Sequence, residues 1–122
     1  MLVRLGAAAL LFVATPGTAG AGELSGREIE AELVGRQILW WQADGWQNGT
    51  LTLGASGVAD ITIAGPGAKS HDEGTWELRD GTLCTKWRML RAQEKCYRLT
   101  RDNSGRFLTS GGNIFEIQEA GV

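Results

Sequence analysis

The sequence predicts a mainly β fold: about eight short antiparallel strands in a meander, forming a small barrel or curled sheet with one short N-terminal helix. Three observations carry this. Beyond residue 36 apolar and polar residues alternate, turn residues recur every eight to twelve positions or so, and the single stretch with helical spacing precedes both.

The chain opens Met1-Leu2-Val3-Arg4, runs on as nearly unbroken apolar residues to Ala14, and then becomes small and helix-breaking at Pro16-Gly17 and Ala19-Gly20-Ala21. This is the pattern of a signal peptide over residues 1–21, cleaved before Gly22. Arg4 orients it, an apolar run of roughly 10 residues is too short to span about 30 Å of bilayer, and Ala19-Gly20-Ala21 fits the small-x-small cleavage rule. The other 101 of the 122 residues make one β-rich domain, 22–122, with one modest core. A periplasmic or secreted location follows.

The mature part begins with a helix. Ser25 and Glu28 are spaced as a capping box, Leu24 and Ile29 as a hydrophobic staple, Ile29 and Leu33 share a face, and Gly35 stands where a left-handed cap ends a helix, so the helix is expected over residues 26–34. Strands follow at 37–42, 50–53, 58–63, 75–78, 82–87, 94–99, 106–110 and 113–118. The turns between them are marked by Asp44-Gly45, Ser56-Gly57, Asp80-Gly81, Ser104-Gly105 and Gly111-Gly112. Residues 64–73, with two glycines and a proline, are expected to be the longest loop. Asn48-Gly49-Thr50 fits a glycosylation acceptor by rule, but is read as a hairpin turn.

Two cysteines in an exported chain are more often a disulfide than a redox or metal site. If strands 82–87 and 94–99 form a hairpin centred on Leu90, Cys84 falls opposite Cys96, Leu83 opposite Tyr97 and Lys86 opposite Glu94. A Zn site would need more ligands than these cysteines and the single His71 supply.

Composition excludes more than it identifies. Without Arg4 the chain carries 11 basic and 14 acidic residues, lacking the basic surplus of a nucleic-acid binder. No glycine-rich phosphate loop precedes a helix, and no carboxylate pair is drawn together among Glu73, Glu77, Asp80 and Glu116. His71, Asp72 and Glu73 fall on the expected loop, where nothing fixes them for catalysis. The expectation is therefore a non-enzyme with no cofactor, no metal and no membrane span in the mature part.

Five tryptophans are the most unusual feature. Trp40 and Trp41 are adjacent on a strand and must face opposite ways, so one is outside unless something covers it. Trp76 and Trp87 are in phase with the core, and Trp46 sits in a turn at the barrel mouth. The aromatics expected to line a contact surface are Trp40, Trp41, Trp46 and Tyr97, with a small apolar ligand or a protein as the partner. This gives a non-enzymatic periplasmic binding or interaction module; an inhibitor of a secreted hydrolase, acting through the loop at 64–73, is the alternative.

Leu24-Ser25-Gly26-Arg27-Glu28-Ile29, Gly74-Thr75-Trp76-Glu77-Leu78, Gly81-Thr82-Leu83-Cys84 and Glu94-Lys95-Cys96-Tyr97 together resemble a family of small exported proteobacterial proteins of unknown function. The resemblance implies a periplasmic, disulfide-bonded, lipocalin-like β domain and brings no catalytic residues. Gly45-Trp46-Gln47-Asn48-Gly49-Thr50 is more weakly similar to avidin-type biotin binders, whose later Trp and polar positions do not line up here.

Overall fold

The computed structural model describes residues 22–65, 68–90 and 93–118; the expected signal peptide lies outside them. A two-residue strand, β1 (Gly22–Glu23), leads into α1 (Gly26–Leu33). The helix starts where the sequence places it: the Ser25 hydroxyl accepts the Glu28 N–H and the Glu28 carboxylate accepts the Ser25 N–H. It ends at Gly35, whose φ of +82° only glycine adopts without strain.

The rest is strand: β2 (Gln37–Gln42), β3 (Asn48–Leu53), β4 (Val58–Gly65), β5 (Ala68–Arg79), β6 (Thr82–Trp87), β7 (Lys95–Tyr97), β8 (Leu99–Arg101), β9 (Phe107–Thr109) and β10 (Asn113–Ile117). All pair antiparallel in one sheet, in the order β1-β8-β9-β10-β2-β3-β4-β5-β6-β7. Only Arg98 separates β7 from β8, so the far end of that order returns covalently to its start. The run from Lys95 to Arg101 pairs with β6 and β1 along one edge and with β9 along the other. Counted as one strand, it completes a ring of eight, the curled, barrel-like sheet that the sequence predicts.

Three expectations are corrected. Residues 64–73 are not a long loop: β4 reaches Gly65, β5 starts at Ala68, and the two pair from Val58–Thr75 to Gly65–Ala68. Asn48-Gly49-Thr50 is the start of β3 rather than a turn. The strand expected at 94–99 begins one residue later and breaks at Arg98, so Lys86 and Glu94 are not a ladder pair, and Glu94 instead meets Arg79.

The helix closes one end of the barrel. Leu24, Ile29 and Leu33 pack with Ile38, Leu53, Leu83 and Leu99 into a core that excludes water. The Gly35 N–H donates to the Leu53 carbonyl (2.8 Å), and Glu32 forms a two-pronged ion pair with Arg101 of β8. That hydrogen bonding is the main reason the Glu32 carboxyl is held below its ordinary range. On the outer face Cys84 and Cys96 are bonded at the register the hairpin arithmetic gives, with Leu83 opposite Tyr97.

Candidate functional site: a cavity at the open end of the barrel

At the end opposite the helix the ring stays open around a cavity of about 320 Å³. Its walls come from the inward positions of successive strands: Trp40 and Gln42 of β2, Leu51 of β3, Ile61 and Ile63 of β4. Across from these stand Thr85 and Trp87 of β6 and Tyr97 of β7, while Asn113 and Phe115 of β10 stand beside Gln42 and Trp40, and Leu83 lies between the cavity and the core around the helix. Gln47 and Leu90 reach in from the loops after β2 and β6.

Glycines make room for the aromatic walls. A side chain at Gly49 would stand 1.8 Å from the Thr62 carbonyl oxygen and 3.0 Å from Trp40 Nε1, which donates to that same oxygen at 3.1 Å. Gly74 lies beneath the ring of Trp87 and Gly111 beside the ring of Tyr97, at 2.9 Å and 2.4 Å from where a Cβ would be. Each ring covers a neighbouring segment that lacks a side chain, as expected where a strand glycine marks a close approach.

The mouth is held by Asp72. The inward phase of β5 turns its side chain out of solvent, leaving it 3 % exposed. Its carboxylate accepts the backbone N–H groups of Glu73, Met89 and Leu90, each at 2.8 Å. Burial by itself would raise this carboxyl, but the three N–H donors and the nearby Arg88 outweigh it and hold it below its ordinary value. The loop after β6 is thereby tied to β5, with Leu90 in the cavity wall and Met89 outside, 77 % exposed.

The four aromatics singled out from sequence separate. Trp40 and Tyr97 stand in the cavity wall. Trp41 faces outward, covered by the Arg106 guanidinium 5.1 Å from its ring. Trp46 is 70 % exposed on the β2–β3 turn, against Gly65. Thr85, Gln42, Asn113 and Asp72 belong to no motif that marks them as site residues in the sequence, although Leu83-x-Thr85-x-Trp87 alternates with the core and marks Thr85 as inward.

His71, Asp72 and Glu73 do not act together. Alternation along β5 sends Asp72 inward and its neighbours outward, where His71 Nε2 lies 3.1 Å from Asp60 Oδ1 and Glu73 is paired across the sheet with Asp60. Asp60, His71 and Glu73 bring one ligand atom each to within 4.8 Å of one another, on an exposed face. Of the carboxylates weighed from sequence, Glu77 meets Arg79, Glu73 meets Arg88 and Glu116 meets Arg106. Among the described residues the cavity lining carries a single titratable side chain, Tyr97, and no nucleophile with an adjacent base.

Comparison of the chain with protein-family models, with curated proteins and with solved structures finds no match. No helix among the described residues is long and apolar enough to cross a membrane.

Proposed function

We propose that the protein is a non-enzymatic binding module of an oxidising compartment such as the periplasm, and that its ligand is a small, largely apolar molecule held in the open end of the barrel. The observation that carries this is the contrast between the two ends. The helix end is filled by Leu24, Ile29 and Leu33, whereas the other end keeps a cavity walled by Trp40, Trp87, Phe115, Leu51, Ile61 and Ile63 with a few polar groups among them. Ligand sites have this character: apolar walls, few polar groups to orient the guest, and a largely preformed shape. An eight-stranded barrel has room for one such guest.

Two measurements test it. Native mass spectrometry of the protein isolated from its own cell compartment would show a retained small molecule as added mass. Calorimetric titration with 3-phenyl-1-propanol, a neutral apolar probe, is expected to show one site per chain. Filling the cavity by Ile63→Trp should abolish that binding while leaving the circular dichroism spectrum unchanged. Undiminished binding by a folded Ile63→Trp variant would place the site elsewhere and end this reading.

A further inference from the structure

We propose that the guest of this cavity is a small apolar acid of about ten non-hydrogen atoms, its carboxylate held between the Thr85 hydroxyl and the Lys95 ammonium. This rests on the cavity being a ligand site. The size follows from the volume: about 320 Å³ corresponds to roughly ten water volumes of about 30 Å³.

The head group follows from two unsatisfied groups on one face. Thr85 is 6 % exposed and lines the cavity, yet its side chain takes part in no hydrogen bond among the described residues. Buried hydroxyls are nearly always bonded, so a buried one turned into a cavity points to a partner that occupies the cavity. Lys95 is the direct cross-strand partner of Thr85, so both side chains leave the same, inner face, with Lys95 exposed at the rim.

Among the described residues no carboxylate pairs with Lys95. Its chain neighbour Glu94 is taken by Arg79, Glu73 lies against Arg88, and the Asp72 carboxylate is occupied by three backbone N–H groups. An ammonium only donates and a hydroxyl donates or accepts, so the group that satisfies both is an acceptor with negative charge. The apolar remainder of the molecule then lies against Trp40, Trp87 and Phe115.

The test compares 3-phenylpropionate with 3-phenyl-1-propanol, near-equal in size and differing in the head group, by calorimetric titration of the purified, disulfide-intact protein at neutral pH. The acid is expected to bind at least tenfold more tightly. Lys95→Gln, an exposed change that spares the core, should bring the acid down to the affinity of the alcohol and leave the alcohol unchanged. Thr85→Val, similar in shape, should weaken the acid more than the alcohol. Equal affinity of the two probes, or an acid affinity untouched by Lys95→Gln, would overturn the head-group assignment. Binding of the alcohol alone would overturn it too while leaving the cavity reading standing; binding of neither would remove both.

Discussion

The Asp72 carboxylate and the backbone of Leu90 are joined at the barrel mouth: one oxygen, Oδ2, accepts the N–H of Leu90 and of Met89, both at 2.8 Å. A side chain on β5 therefore fixes the loop that follows β6, and with it the Leu90 side chain in the cavity wall. Replacing Asp72 by Ala should free the Met89 and Leu90 amides, so that their hydrogen exchange approaches that of an open loop while the amides of β2 and β3 keep their protection. Unchanged protection at Met89 and Leu90 would show that the loop is held by something other than this carboxylate.

The same carboxylate makes stability depend on pH in one direction. Asp72, Glu32 and Asp102 are all held below their ordinary values, 3.8 for the aspartates and 4.5 for the glutamate. For Asp102 the leading cause is the Ser104 hydroxyl, as for Glu32 it is Arg101. A carboxyl that is more acidic folded than unfolded stabilises the fold above its unfolded pKa, and that contribution disappears as pH falls through the folded one. Urea midpoints should accordingly stay level from neutral pH to about 5 and fall below about 4.5. In Asp72→Asn the acid-side decline should be shallower, because one of the three linked groups is gone. A midpoint that rises on acidification would contradict the assignment.

Much of the fold was legible because local chemistry and long-range pairing agree. Ser25 and Glu28 mark the helix start, Gly35 its end, and Asp80-Gly81 the β5–β6 turn, where φ is +51° and +79°. The Cys84–Cys96 register follows from hairpin geometry alone. The segment 64–73 was illegible for a physical reason: its one described inward side chain between Ser70 and Glu73 is Asp72, a charge at the mouth, so the alternation of apolar and polar residues that announces a strand is missing. Pairing with β4 along its whole length overrides that weak local signal. At the site, period-two reasoning separates Trp40 from Trp41 but does not say which is inward. That choice depends on the ring of Trp40 lying over Gly49 to reach the Thr62 carbonyl.

The disulfide holds β7, a strand of three residues, to β6, at a place where three residue pairs close the ring. With a sequence separation of 12 between its ends, the crosslink is expected to contribute about 2.5–3 kcal/mol, chiefly by restricting the unfolded chain. The double variant Cys84→Ala/Cys96→Ala should lose about that much in denaturant unfolding, with a larger slope on denaturant concentration as its unfolded state expands. A variant as stable as the parent would mean that the ladder between β6 and β7 closes the ring unaided.

Gly49 is the position at which the cavity wall is least forgiving. A methyl group there would meet the Thr62 carbonyl oxygen at 1.8 Å, a backbone atom that cannot swing aside, and would crowd Trp40 Nε1 at 3.0 Å. Gly49→Ala should therefore cost roughly 1–3 kcal/mol through strand displacement, although alanine suits a strand better than glycine does. Trp40→Phe tests the other partner, keeping most of the ring while removing the Nε1–H donor to Thr62, and should cost roughly 1 kcal/mol. Because both substitutions act through one contact, the double variant should lose less than the sum of the two singles in urea unfolding, the smaller ring at position 40 leaving space for the new methyl. Strict additivity would show that Gly49 is required by the β3–β4 backbone approach alone and that Trp40 takes its place in the wall independently of it.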